Sequence, residues 1–130
     1  MNEFVYPEIK PGLYLVSLPV GCLSDISFRA LHMLSNSDYV AGEDTRSVRS
    51  LFKLLKISKS IKSIISYHDH SSAHTRGKII ELIKQGKSVA LVSDAGTPLI
   101  SDPGYKLVKT TIEEGFEVFS VPGPSSVIAA

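Results

Sequence analysis

At 130 residues, 43% of them hydrophobic and 21% charged, the chain is long enough for one packed domain and too short for two. No apolar stretch approaches the length of a membrane span, and Met1-Asn2-Glu3-Phe4 lacks the basic start and apolar core of a signal peptide. A net charge of +1 offers no global attraction to nucleic acid, and the single cysteine, Cys22, excludes an internal disulfide and fits a reducing cytoplasm.

In chain order, residues 13–18 form the first apolar run of strand length. A loop follows, Pro19-Val20-Gly21-Cys22-Leu23-Ser24-Asp25. Its glycine permits close approach of backbone to a ligand, but it is neither a dinucleotide fingerprint nor a phosphate-binding loop. It also reads simply as a strand-to-helix turn. Ile26, Ala30, Leu31 and Leu34 then recur at helical spacing, with Ser24 as the expected cap. Residues 39–42 form a second run, which ends in Glu43-Asp44-Thr45-Arg46. With Asp44 or Thr45 able to cap the next helix, two carboxylates at a strand exit suit helix capping and the positive end of a helix dipole. The helix after them carries an apolar stripe, Val48, Leu51, Phe52 and Leu55, and beside it a basic one, Arg46, Arg49, Lys53 and Lys56. Such a stripe is either a solvated face or a surface that follows RNA phosphates.

Residues 64–67 form the third run, followed by His68, Asp69, His70 and His74. Their spacing matches no standard zinc site and no cysteine joins them, so no metal is expected. One of these histidines could instead hydrogen-bond a ribose or act as a general base. Ile79, Ile80 and Ile83 mark a third helix, closed by Gly86. After residues 88–92, the fourth run, comes the richest loop, Ser93-Asp94-Ala95-Gly96-Thr97-Pro98-Leu99-Ile100-Ser101-Asp102-Pro103-Gly104-Tyr105, with two aspartates, two prolines and two glycines. It is long, rigid and polar, which suits a pocket wall better than a connection. Asp102 is expected to cap the fourth helix with Pro103 in its first position; Leu107, Val108, Thr111 and Ile112 form its apolar stripe and Gly115 closes it. The fifth run, 116–121, exits through Pro122-Gly123-Pro124-Ser125. The chain stops within an apolar pattern at Ala130, and the expectation is of a longer protein.

Near-continuous apolar runs that alternate with helix-period segments predict an α/β fold, a five-stranded, mainly parallel sheet with helices on both faces. Ligands of such sheets bind outside the carboxyl ends of the strands, so the unusual loops should share one rim.

Taken together and in order, Pro19-x-Gly21-x-Leu23-x-Asp25-Ile26-Ser27, Glu43-Asp44-Thr45-Arg46, Ser66-Tyr67-His68-x-His70, the run LVSDAGTPLISDPG from Leu91 and Pro122-Gly123-Pro124-Ser125 strongly resemble one family. It is the ribosomal RNA small subunit methyltransferase I family, of the tetrapyrrole (corrin/porphyrin) methylase superfamily. The resemblance spans nearly all of the chain from Gly12 onward, and its fourth-loop motif is highly specific. Cys22 stands where asparagine is usual, Asp69 where glutamate is common and Ser71 where asparagine is frequent.

The resemblance implies residues 1–130 as the amino-terminal domain of a class III (tetrapyrrole methylase-like) methyltransferase, its carboxyl-terminal domain lying beyond this sequence. It implies a cytoplasmic enzyme that moves a methyl group from S-adenosylmethionine to the 2′-oxygen of a cytidine in 16S rRNA of the small ribosomal subunit, and a homodimer in the full-length protein, with no membrane partner. The cofactor would be held by Pro19, Gly21, Asp94, Gly96, Thr97, Pro98, Ser101, Pro122 and Ser125. Glu43, Asp44, Arg46 and His68 are the candidates for substrate-side chemistry, with the base among them left open. The alternatives are a tetrapyrrole-type carbon or nitrogen methyltransferase, and a non-catalytic nucleotide- or RNA-binding module.

Overall fold

The computed structural model describes residues 8–18, 26–59, 61–68, 72–93 and 102–121. In chain order the elements are β1 (Gly12–Ser17), α1 (Phe28–Asn36), β2 (Tyr39–Gly42), α2 (Thr45–Leu54), β3 (Ile64–Ser66), α3 (Ser72–Lys84), β4 (Ser88–Ser93), α4 (Asp102–Glu113) and β5 (Val118–Val121), with a 3-10 turn, Ile61–Ser63, before β3. The strands form one sheet in the order β3-β2-β4-β1-β5, and every neighbouring pair runs parallel. The expected parallel α/β architecture is the one observed.

Side chains alternate across the sheet with the period of two that strands impose. Tyr14 and Val16 of β1, Val40 of β2, Ala90 of β4 and Val121 of β5 join Ala30, Met33 and Leu34 of α1 and Val48, Leu51 and Phe52 of α2 in one core. Leu13, Ala41, Val89 and Leu91 point the other way and pack with Ile79, Ile80 and Ile83 of α3, Leu107 of α4 and Tyr67. Each large side chain so buried contributes roughly 1.5–3 kcal/mol. The connections that run from β1 to β2 and from β2 to β3 thus carry their helices on one face. Those that run back, from β3 to β4 and from β4 to β5, carry theirs on the other, as a single handedness of crossover requires.

Local chemistry sets the helix ends. Ser27, rather than the expected Ser24, caps α1: its hydroxyl accepts from the Ala30 amide at 3.1 Å. Ser24 itself lies outside the described residues. The α1 stripe is correspondingly displaced, with Met33 buried and Leu31 only half-buried. Ile112 of α4 was expected inside and is 60% exposed, although Thr111 beside it is fully buried. Helix α4 takes in Asp102 itself, one residue earlier than a cap there would have it, a difference within the fraying of helix ends.

Three helices finish alike. In α3 and α4 a glycine with positive φ, Gly86 at 89° and Gly115 at 85°, follows the last turn, and the next amide reaches back five residues (Lys87 to Leu82, Phe116 to Thr111). The same pair of bonds closes α2, where the Ile57 amide donates to the Phe52 carbonyl and the Lys56 amide to that of Lys53. At the equivalent position of α2, however, stands Lys56, with φ at 58°. This left-handed conformation costs a residue with a Cβ about 1–2 kcal/mol.

At the amino-terminal edge of the sheet, Asp38 and Ser88 clasp each other. The Ser88 amide donates to the Asp38 carboxylate at 2.8 Å and the Asp38 amide to the Ser88 hydroxyl at 2.9 Å. Lys59 donates to the carbonyls of Ser35 and Ser37, which lie free at the end of α1, and its partial burial lowers its pKa. No helix among the described residues is long and apolar enough to cross a membrane.

Candidate functional site

Because all five strands are parallel, β1, β2, β3, β4 and β5 deliver the chain to one and the same edge, at Ser17, Gly42, Ser66, Ser93 and Val121. The ends are level. Ser17 pairs with Ser93, Val16 with Val121, Ala41 with Leu91 and Gly42 with Ser66. At the centre of the sheet, β4 is followed by α4 on one face, while its neighbours β1 and β2 are followed by α1 and α2 on the other. Where adjacent strands part in this way a crevice opens at their carboxyl ends, and parallel sheets take their ligands there.

Of the candidate residues, Glu43, Asp44, Arg46 and His68 are described, and the fold brings them to neighbouring exits of this rim. The Tyr67 amide donates to the Gly42 carbonyl at 2.8 Å, which extends the β2–β3 pairing one step past the strands. The Ser66 hydroxyl donates to the Glu43 carbonyl at 3.5 Å. The β2 exit with its acidic pair and the β3 exit with half-buried His68 are thereby tied side by side. Ser66 belongs to the Ser66-Tyr67-His68 motif and not to the candidates; a serine at a strand end, two residues before a histidine, is the signal in the sequence that points to it.

Asp44 is spoken for. It is the N-cap of α2, and its Oδ1 accepts from the Arg46 amide at 2.9 Å while the Arg46 Nε stands 3.6 Å away. These contacts, the backbone hydrogen bond first, hold its carboxyl below the usual aspartate range. It is a weak proton acceptor and a stable negative charge. Glu43 and Arg46 are exposed, the Arg46 side chain 83% so. Gly42, immediately before them, admits no side chain: a Cβ would lie 2.8 Å from Cγ2 of Val48. That contact seats the first turn of α2 on the strand end.

Pro19, Gly21, Asp94, Gly96, Thr97, Pro98, Ser101, Pro122 and Ser125 lie outside the described residues, as do Asp69 and His70. A separate groove of about 540 Å³ runs along the outer side of β3 against α3, lined by Tyr39, Lys62, Ile64, Thr75 and Lys78 among others. It shares Ser66 with the rim and contains none of the candidates.

Comparison with known proteins gives this geometry a lineage. Residues 12–130 match the family model described as tetrapyrrole (corrin/porphyrin) methylases. A protein of Mesorhizobium japonicum named ribosomal RNA small subunit methyltransferase I is 47% identical over 99% of the chain, and the chain covers 43% of it. The protein of that name from Rickettsia prowazekii is 48% identical over 94% of the chain, which covers 42% of it, and that from Bacillus subtilis is 43% identical over 91%, covering 39%. The chain therefore spans about two fifths of the length of these relatives. Among solved structures, a cobalt precorrin-4 methyltransferase superposes with a TM-score of 0.64 at 24% identity, over 90% of this chain and 47% of its own. A diphthine synthase superposes with a TM-score of 0.63 at 18% identity, over 90% of this chain and 47% of its own. These two likenesses establish the fold. On the family match and the identities together, the chain belongs to the tetrapyrrole (corrin/porphyrin) methylases.

Proposed function

We propose that residues 1–130 form the amino-terminal domain of an S-adenosylmethionine-dependent methyltransferase that modifies the 2′-hydroxyl of a cytidine in 16S rRNA. The full-length protein would act as a homodimer in the cytoplasm. The observation that carries the reading is the agreement of relatives: proteins from several bacterial lineages, 43–48% identical to this chain, share the name of a small-subunit rRNA methyltransferase. The rim supports it, since five parallel strands that end at one edge place their loops where sheets of this kind take their ligands.

The residues expected around the cofactor fit it chemically. Small residues, fixed prolines, hydroxyls and carboxylates allow close approach and directed hydrogen bonds to an amino acid and a nucleoside. Asp94, Gly96, Thr97, Pro98 and Ser101, with Pro19, Gly21, Pro122 and Ser125, would form this wall. S-adenosylmethionine, when bound, supplies a methyl group on a sulfonium, already activated for transfer. The work left to the protein is alignment, worth about 7–11 kcal/mol when reacting groups are well oriented, and the exclusion of water. A ribose hydroxyl is a poor acid, so a nearby acceptor for its proton helps. With Asp44 occupied as a cap, Glu43 and His68 are, among the described residues, the candidates at the rim suited to that role, and Arg46 offers a positive charge to a neighbouring phosphate.

The test is transfer of labelled methyl by the intact protein to 16S rRNA or small subunits, and separately to a corrin precursor. Label on an RNA ribose is expected; label on the tetrapyrrole, or on neither, overturns the reading. Asp94→Ala and Thr97→Ala should weaken cofactor binding by calorimetry, and unchanged affinity in both would discredit the wall. His68→Ala should lower turnover and leave the melting temperature near its parent value; full activity would remove it from the chemistry.

A further inference from the structure

We propose that the outward face of α2, from Arg46 to Lys56, is a track for the RNA phosphodiester backbone that leads into the reactive rim. The proposal rests on the RNA reading above and deepens it.

Charge in this chain is not evenly spread. Between Asp44 and Asp69 the sequence holds Arg46, Arg49, Lys53, Lys56, Lys59 and Lys62 and no carboxylate, in a protein whose net charge is only +1. On a helix that advances about 100° per residue, Arg46, Arg49 and Lys53 fall within roughly 60° of one another. Val48, Leu51 and Phe52 occupy the opposite side and are buried, so the basic residues face outward, and all three are exposed, as is Lys56. Among the described residues Arg49, Lys53 and Lys56 make no ion pair. Helix α2 begins at the rim, capped by Asp44, and runs away from it. The stripe therefore starts beside Glu43 and His68 and extends about 15 Å, long enough for a few consecutive phosphates.

A second observation is independent of charge. Helices α2, α3 and α4 close with the same hydrogen-bond pair, and two of them place glycine at the left-handed position. The third places Lys56 there, at a φ of 58°, at the foot of the stripe. A strained residue kept where an unstrained one is available points to a task for its side chain. The ammonium of Lys56 continues the track past the last helical turn.

The experiment uses the intact protein and a labelled single-stranded oligoribonucleotide, with affinity measured by anisotropy across a salt series. Each phosphate neutralised on a single strand releases counterions that contribute about 0.7 to the slope of log affinity against log salt, so Arg49→Gln with Lys53→Gln should flatten it by about 1.4. Affinity at low salt should fall about tenfold. The same change at Lys78 and Lys109, exposed on α3 and α4 across the sheet, should leave both quantities alone. Lys56→Gly should raise the melting temperature by about 2–4 °C while it flattens the slope by about 0.7. A slope unmoved by the α2 changes, an equal response from the control pair, or undiminished RNA affinity in Lys56→Gly each overturns the track. Methyl transfer to 16S rRNA is read on the same preparations. Transfer with an unchanged slope sinks the track and leaves the enzyme reading standing; a flattened slope without transfer supports the track and counts against the enzyme.

Discussion

A single carboxylate oxygen of Asp44 serves both the first turn of α2 and the guanidinium of Arg46. Sequence alone allowed Asp44 or Thr45 as the cap. The choice came from the backbone, since Asp44 is extended, with φ −125° and ψ 112°, and Thr45 is already helical. The consequence is a pH dependence of known sign. A carboxyl whose folded pKa is lowered adds stability that is complete above its ordinary value of 3.8 and is lost as pH falls below that, through the folded value. Asp44→Asn keeps the cap without the charge. Its melting temperature should therefore approach that of the parent as pH falls below 4 in a thermal series; a constant gap across the range would show that the charge contributes nothing.

At the scale of elements, helix stripes were legible wherever burial is decided by one helix face. Val48, Leu51 and Phe52, and Ile79, Ile80 and Ile83, are buried as periodicity predicts. The misplacements fall at ends, where α1 starts at Phe28 and Ile112 in the last turn of α4 is exposed, because neighbouring elements rather than spacing decide what lies over the last turn. One inter-element contact bears directly on the site. The 2.8 Å between a Cβ at position 42 and Cγ2 of Val48 is too short, and a valine in a helix has little rotamer freedom to yield. Gly42→Ala should cost about 1–3 kcal/mol by urea denaturation, as overpacking does. Combined with Val48→Ala the loss should be less than the sum of the two, and strict additivity would mean that the clash is relieved elsewhere.

For the whole molecule the order β3-β2-β4-β1-β5 is decisive. Strands β2, β4 and β1 each have two neighbours, with β4 and β1 paired along their whole length, whereas β3 and β5 form the edges, and β3 is three residues long with all of its side chains only half-buried. Amide exchange should therefore be slowest in β1 and β4 and fastest in β3. Protection of β3 equal to that of β4 in deuterium-exchange mass spectrometry would mean that the edge opens only with the whole domain. The same order makes the rim: had any strand run antiparallel, one loop of polar residues would lie at the far end of the sheet.

Local patterning by itself determined the number and kind of elements, the parallel α/β class and the residue types at each strand exit, because periodicity, caps and bend residues act within a few positions of one another. Only the tertiary structure decided which exits are neighbours. The Tyr67–Gly42 hydrogen bond joins the histidine exit to the acidic one, Asp38 holds Ser88 across fifty positions of chain, and Lys59 closes the end of α1. These contacts depend on loop closure and strand order, which are settled by the burial of both sheet faces at once and leave no mark at any single stretch of sequence.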